Sequence, residues 1–151
     1  MSDKDRKAAF VKIAEAAKKA KGPFSMTNAG LDDTFVRIFV EGTLQPGAAP
    51  HLTEVNLESN SISNPGFAML AEAVAKMPTL TSIKLRHQRT APSVSNQDLF
   101  LKAMELNPSI IKMSVEMNRE RSAKRDKLES QNRDLKRKAR LKARAATRSE
   151  S

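Results

Sequence analysis

Apolar residues in the middle of the chain recur in a spacing that suits neither a regular strand nor a regular helix. In the stretch LTEVNLESN, residues 52–60, they stand at the first, fourth and sixth positions, and an asparagine closes the stretch. A half-buried strand would alternate strictly, and a helix would repeat its apolar residues every three to four positions. The same spacing returns twice more, and each copy begins two residues after a proline, at Pro50, Pro78 and Pro108.

The three copies align with one another, and their prolines lie 28 and then 30 residues apart. Self-similarity at such a period is the sequence signature of a repeat architecture. The apolar positions are Leu52, Val55 and Leu57, then Leu80, Ile83 and Leu85, then Ile110, Met113 and Val115, and the closing amides are Asn60, Gln88 and Asn118.

This phrase, L-x-x-L-x-L-x-x-N, is that of a leucine-rich repeat. Its second half predicts a short strand whose inward side chains alternate, and the amide can bond the backbone of the turn that follows. One repeat cannot bury its own apolar face, so each repeat must stack on a neighbour. Three unrelated strands in an ordinary α/β domain are the alternative, which would leave the threefold coincidence of proline, apolar residues and amide unexplained.

The segments after the first two phrases, residues 63–77 and 95–106, predict helices. The first segment is rich in good helix formers and has a proline at its start, where a proline is well tolerated. In the second segment we expect Ser95 to be the N-cap and Asp98 to lie in the first turn. The expected inward residues are Phe67, Leu70 and Val74 in the first helix, and Leu99, Phe100, Ala103 and Met104 in the second.

Two further helices are predicted before the first phrase. Residues 3–20 form one, which the glycine-proline pair at 22–23 ends, and residues 31–42 form the other. We interpret residues 1–49 as a helical N-terminal cap with a linker, because the open end of a repeat stack needs a cover. A separate partner-binding helix is the alternative.

The charge of the chain is concentrated in its tail. Residues 119–151 contain 13 basic and 5 acidic side chains, whereas residues 1–118 contain 14 and 12. The tail has neither glycine nor proline and predicts a helix, in which Leu128 and Leu135 are expected to lie against the end of the solenoid. Residues 136–148, KRKARLKARAATR, predict a solvated basic arm, and such an uneven charge points to an acidic partner.

Composition excludes several classes of function. Cysteine is absent and phenylalanine is the only aromatic residue type, so we expect an aliphatic core of Leu, Ile, Val, Met and Ala, without disulfides. No nucleotide-binding glycine pattern or metal-ligand cluster occurs, and His51 and His87 stand alone in the sequence. We therefore expect neither enzymatic activity nor a cofactor. With no recognisable signal peptide or bilayer-spanning segment, the expectation is a soluble cytoplasmic monomer.

Together these patterns predict an α/β fold, a short leucine-rich repeat solenoid of about three strand-helix repeats, with a helical N-terminal cap and a basic C-terminal helix. The expected parts are residues 1–49 for the cap and linker, 50–118 for the repeats, and 119–151 for the basic helix.

The run EVNLESNSISNPGFAMLAEAVAKMPTLTSIKLRHQR, residues 54–89, resembles the last repeats of the tropomodulins and leiomodins, a family of actin pointed-end cappers and nucleators. The tail phrase QNRDLKRK, residues 131–138, resembles the basic, N-D-L-containing end of that family. The resemblance covers about residues 52–142. The matching motifs are LESN at 57–60, Gly66, LAEAV at 70–74, TLTSIKL at 79–85, and HQR at 87–89, where the family has N-Q-R.

The resemblance implies a leucine-rich actin-binding domain of the cytoskeleton, whose last helix packs on the final repeat and which acts on filament pointed ends by capping or length control. Tropomyosin is also a partner in that family, through an N-terminal half that has no counterpart in these residues. The alternative to actin is a nucleic acid or an acidic membrane bound by the tail. The tail lacks aromatic residues on which bases could stack, which counts against single-stranded nucleic acid.

The candidate partner-binding residues are the outward positions of the three phrases, the loop after the second phrase, and cations of the tail. In a solenoid, outward strand residues form one continuous surface, although a merely solvated face is the alternative interpretation. The candidates are Glu54, Asn56, Glu58, Ser82, Lys84, Arg86, Gln88, Arg89, Lys112, Ser114, Glu116, Arg133, Lys136, Arg137 and Lys138.

Overall fold

Helices and short strands alternate along the whole chain. The structure is a computed structural model that describes the backbone of residues 2–150 and the side chains of residues 2–148. Its strands form one parallel sheet in the order β1-β2-β3-β4, and each helix packs against the next. The elements are α1 (Asp3–Lys18), β1 (Gly22–Ser25), α2 (Asp33–Gly42), β2 (Leu52–Asn56), α3 (Asn64–Val74), β3 (Ser82–Lys84), α4 (Val94–Leu106), β4 (Lys112–Ser114) and α5 (Arg119–Glu150).

The predicted α/β repeat architecture is confirmed, with one strand more than the sequence predicted. Residues 22–25, which we expected only to end a helix, form β1 and pair in parallel with β2. The N-terminal region therefore extends the sheet as well as covering its end. The strand was not predicted because glycine followed by proline usually ends a helix, and because Phe24 is the only buried residue of the strand, so no alternating apolar pattern marks it.

The apolar positions of all three phrases lie in a single core, which is mainly aliphatic but also takes in aromatic side chains. All six phenylalanines of the chain are buried. Four of them gather at the N-terminal end of the stack, where neighbouring ring centroids lie 5.2 to 6.0 Å apart. Large rings can fill the space between α1, β1 and α2, where the leucine phrase is missing. The four are Phe10, Phe24, Phe35 and Phe39.

Buried amides tie each repeat to its neighbour. The side chain of Asn60 accepts hydrogen bonds from the backbone N–H groups of Ala29 and Leu31, at 3.0 and 3.1 Å. Its Nδ2 donates to the carbonyl oxygens of Met26 and Leu57, each at 2.9 Å, and to that of Glu58 at 3.1 Å. One side chain thus satisfies turn backbone on two repeats, which is why this position of the phrase requires an amide.

The next two amides differ in role. Gln88 repeats the pattern, because it accepts from Ile62 N and donates to the carbonyl oxygens of Leu57 and Leu85. Asn118 is exposed, and its Oδ1 instead accepts from Arg121 N at 2.9 Å in the first turn of α5. No further repeat follows Asn118, so its amide caps a helix.

A second polar ladder connects the N-terminal ends of the helices. Asp33 of α2 accepts hydrogen bonds from both the backbone N–H and the hydroxyl of Ser63, the residue that precedes α3. Asn64 of α3 accepts from Ser93 N at 2.9 Å, and Gln97 of α4 accepts from Asn118 N at 2.9 Å. Each helix thereby provides an acceptor for an N–H group that the next helix leaves unpaired.

The expected N-cap of α4 was misplaced. Ser93 is the N-cap, with its Oγ accepting from Asn96 N at 3.2 Å, and Ser95 lies inside the helix. Asp98 consequently falls in the second turn. The apolar pattern could not reveal the earlier start because Val94, the first helical residue, is 50% exposed.

We predict that replacing the first amide destabilises the protein far more than replacing the third. Asn60→Ala leaves several buried backbone groups unpaired and should lower the free energy of unfolding by about 3 kcal/mol. Asn118→Ala, the matched control, removes one exposed cap and should cost about 1 kcal/mol. Urea denaturation followed by circular dichroism measures both, and equal losses would contradict a special role for the buried amide.

We also predict that Gly66 tolerates no side chain. A Cβ there would collide with Asp33 Oδ1, the atom that bonds Ser63, and would lie 2.8 Å from Ile62 Cγ2. Gly66→Ala should therefore destabilise the fold by about 2 kcal/mol. Gly42→Ala is the control, because a Cβ at that helical position meets nothing within 4 Å and should leave stability equal or slightly higher. Thermal unfolding of the two variants distinguishes steric conflict from a general cost of losing glycine.

Candidate partner-binding surface

The outward residues of three strands align in two rows across the sheet. In register, Glu54 pairs with Ser82 and Ser82 with Lys112, while Asn56 pairs with Lys84 and Lys84 with Ser114. Their side chains share the side of the sheet that faces away from the core, because the alternate positions are buried. We call these six residues, Glu54, Asn56, Ser82, Lys84, Lys112 and Ser114, the strand face.

Charge on the strand face is negative on β2 and positive on β3 and β4. Glu54 lies on β2, and its carboxylate is 3.5 Å from the ammonium of Lys84 on β3. Lys112 on β4 is exposed and has no ion pair within 4.0 Å among the described side chains. The strand face is thus acidic toward β2 and basic toward β4, and a partner with the opposite arrangement would be oriented by it.

Ser82 lies at the centre of the strand face and is only 6% exposed. Its hydroxyl oxygen is the one buried side-chain polar atom in residues 2–148 without a hydrogen-bond partner. Buried hydroxyls normally find partners, so Ser82 is an exception within the strand face.

Just past the strand ends, the predicted surface continues through Glu58, Arg86 and Glu116. Arg86 donates to Ser114 Oγ at 3.0 Å, and Glu116 accepts from His87 N at 3.1 Å. Arg89 is exposed in the same loop. Gln88 is less available to a partner, because its side-chain amide is hydrogen-bonded to the backbone of two repeats and stabilises their stacking.

The first half of α5 covers the open edge of β4. Arg125 donates to the carbonyl of Val115 at 3.0 Å, and Glu129 accepts from Met113 N at 2.8 Å. Asn132 is 4% exposed and donates to the carbonyls of Ile110 and Met104. Arg125 and Glu129 pair groups at the edge of β4 that would otherwise offer a template for another strand, and Asn132 bonds α4 and the turn before β4.

These polar contacts of α5 were not predicted from the sequence. Leu128 and Leu135 were expected to hold the helix against the end of the solenoid, but only Leu128 packs against the core, whereas Leu135 remains 53% exposed. The signal in the sequence was weak, namely polar residues spaced four and then three apart at positions 125, 129 and 132, a spacing that also suits a solvated helix face.

An ion pair on the outer surface also connects α5 to α4. Arg121 approaches Asp98 with two nitrogens, Nε to Oδ1 at 2.6 Å and Nη2 to Oδ2 at 3.2 Å. The hydrogen bond from Arg121 lowers the pKa of Asp98 below 3.8, and the same bond raises the pKa of Arg121.

The predicted tail cations lie apart from the strand face. Arg133, Lys136, Arg137 and Lys138 are all exposed on α5. Hydrogen bonds from Arg137 and Lys138 to Asp134, at 2.8 and 3.0 Å, lower the pKa of that carboxylate. C-terminal to Asp134, the side chains of residues 136–148 are all exposed, and none of these residues is acidic. We call residues 136–148 the basic arm.

Within the described residues, no group of three or more His, Asp or Glu side chains is arranged to hold a metal ion. No described helix is both long enough and apolar enough to cross a membrane.

Parallel strands, outward polar rows and amide-bonded turns define a leucine-rich repeat solenoid. The TMOD/LMOD leucine-rich domain model matches residues 6–135, so the chain belongs to the tropomodulin and leiomodin leucine-rich domain family. No curated protein sequence matches the chain significantly.

Two solved structures share the fold. The structure described as leiomodin-1 actin-binding site 2 is 22% identical, with a TM-score of 0.83, over 93% of this chain and 82% of the other. The tropomodulin C-terminal domain from Caenorhabditis elegans is also 22% identical, with a TM-score of 0.77, over 89% of this chain and 81% of the other. The family resemblance seen in the sequence is therefore confirmed.

The Asp98–Arg121 pair predicts a pH-dependent contribution to stability. Because the pKa of Asp98 is lower in the folded protein, the contribution is complete above the ordinary pKa of 3.8 and is lost as the pH falls through the folded value. The difference in melting temperature between the native protein and Arg121→Gln should be small at about pH 6, since the pair is exposed, and should shrink toward about pH 3. A difference that grows on acidification, measured by calorimetry, would contradict this assignment.

Proposed function

We propose that this protein binds actin through the strand face and the adjoining loop from Arg86 to Arg89. The observation that carries the proposal is family membership over residues 6–135, together with a structural neighbour that is described as an actin-binding site. The polar strand face supports it physically, because its side chains point away from the core and are fixed in register by the sheet.

In this proposal the binding modulates filament pointed ends, by capping or by controlling length. The protein would be a non-enzymatic, monomeric component of the cytoplasmic cytoskeleton. The basic arm would steer association with the acidic actin surface and raise the association rate more than the affinity, as charged patches outside an interface do.

Actin co-sedimentation and the elongation of barbed-end-blocked filaments test the proposal. The native chain should sediment with filaments and slow pointed-end growth. Lys112→Glu reverses an exposed charge on the strand face and should weaken binding about tenfold. Lys102→Glu makes the same charge change on α4 and serves as the matched control, which should bind normally. A native chain with no effect on binding or elongation would refute the proposal.

A truncated chain tests how much the basic arm contributes to actin binding. Truncation after Leu135 removes the arm but keeps the residues of α5 that bond β4. A truncation after residue 118 would instead uncover the sheet edge. We expect the shorter chain to bind actin more slowly with weaker salt dependence.

The alternative function is nucleic-acid or acidic-membrane binding by the basic arm, and it is favoured by the exposure of all its side chains. A shift of duplex nucleic acid, or binding to anionic vesicles, that is lost after truncation at Leu135 would support it if actin binding were absent.

A further inference from the structure

A second surface lies at the end of the sheet where the strands begin, away from the loop Arg86 to Arg89. Two grooves lie there along the turns that open the repeats, with volumes of about 700 and 320 Å³. Pro78 lines one groove and its chain neighbour Thr79 lines the other, and we call the two grooves together the proline trough. Its lining residues are Lys21, Gly22, Pro50, His51, Thr53 and Thr79 in one groove, and Pro78, Thr81, Pro108, Ser109, Leu135 and Lys136 in the other.

The walls of the proline trough are held by bonds between repeats. Thr81 donates to the carbonyl of Thr53 from both its backbone nitrogen, at 2.7 Å, and its hydroxyl, at 3.1 Å. Ser109 Oγ donates to the carbonyl of Leu80 at 2.8 Å. The three prolines add rings that lose no side-chain entropy when they are covered. A ligand would therefore meet a surface that is largely formed in advance.

The one large aliphatic side chain among the trough's lining residues lies at its α5 end. Leu135 lies beside Pro78 and Pro108 and is 53% exposed, although it is a large aliphatic residue. It is not among the residues packed against the core, in contrast to Leu128. An apolar side chain from outside could fill this position.

The charge of the trough has one sign. Lys21 stands near one end and Lys136 near the other, and no acidic side chain is among the lining residues in the described part of the chain. The basic arm begins at Lys136 and extends the positive potential past the same end. A negatively charged ligand would gain from this potential along its whole length.

We propose that the proline trough binds an extended acidic segment of a partner protein, with an apolar side chain of that segment seated against Leu135, Pro78 and Pro108. An extended peptide suits a shallow groove that crosses several strands, because it can contact each proline turn in succession. A carboxylate next to the apolar residue would lie near Lys136, and another one farther along the segment would lie near Lys21. This surface is separate from the strand face, so the proposal does not depend on actin binding.

Fluorescence anisotropy with labelled synthetic peptides tests the proposal on the full chain. The probe is a soluble repeat of Glu-Leu-Pro, which favours an extended conformation. A repeat of Glu-Ser-Pro removes the apolar side chain, and a repeat of Lys-Leu-Pro reverses the charge. We expect the Glu-Leu-Pro peptide to bind, the Glu-Ser-Pro peptide to bind several-fold more weakly, and the Lys-Leu-Pro peptide not to bind.

Variants of the protein localise the site. Leu135→Ser should weaken Glu-Leu-Pro binding about fivefold, whereas Leu141→Ser, which changes an equally exposed leucine of the same helix, should have no effect. Lys21→Glu combined with Lys136→Glu should weaken binding about tenfold, whereas Lys12→Glu combined with Lys102→Glu should not. All four variants alter exposed side chains, and their melting curves verify folding.

Amide chemical shifts provide an independent readout. Binding should perturb the amides of Thr53, Thr79 and Thr81 and leave those of Lys84 and Ser114 on the strand face unchanged. Equal binding of the Glu-Leu-Pro and Glu-Ser-Pro peptides, equal losses in Leu135→Ser and Leu141→Ser, or larger shifts of the same amides with duplex DNA would each overturn the proposal. The last outcome would identify the trough as a polyanion site.

Discussion

The fold depends on the pairing of buried turn backbone between repeats. A parallel stack of short strands leaves carbonyl and N–H groups in every turn that water cannot reach, and each unpaired group costs about 1 to 3 kcal/mol. Asn60 and Gln88 satisfy these groups on two repeats at once. Because the amides reach across the boundary between repeats, they also fix the register in which the repeats stack, and the apolar residues then meet in one continuous core.

The same requirement explains why the two ends of the stack are built differently. At the N-terminal end, the phenylalanine cluster of α1, β1 and α2 seals the core, and Pro23 in β1 removes one donor that could pair with another strand. At the other end, α5 lies along β4, and its polar side chains bond the free edge groups of Met113 and Val115. One end is closed mainly by apolar volume and the other mainly by hydrogen bonds.

These two closures determine which surfaces are left for binding. The helix layer covers one side of the sheet, so the strand face is the side that remains open to a partner. The first half of α5 is committed to the edge of β4, and the basic arm continues past the sheet without contacts to the core. The proline trough lies between these regions, where the turns that open the repeats meet Leu135 and Lys136.

The sequence by itself determined the repeat, its strands and helices, its core positions and the outward rows, because apolar spacing and closing amides are local patterns that recur at a fixed period. Only the tertiary structure decided the rest. The strand β1, the acceptor role of Gln97, and the contacts of Arg125, Glu129 and Asn132 rest on hydrogen bonds between groups that are distant in sequence. Asn118 caps a helix because α5, and not another strand-helix repeat, follows it. A polar side chain has the same sequence pattern whether it faces water or a strand edge, so no local pattern could distinguish them.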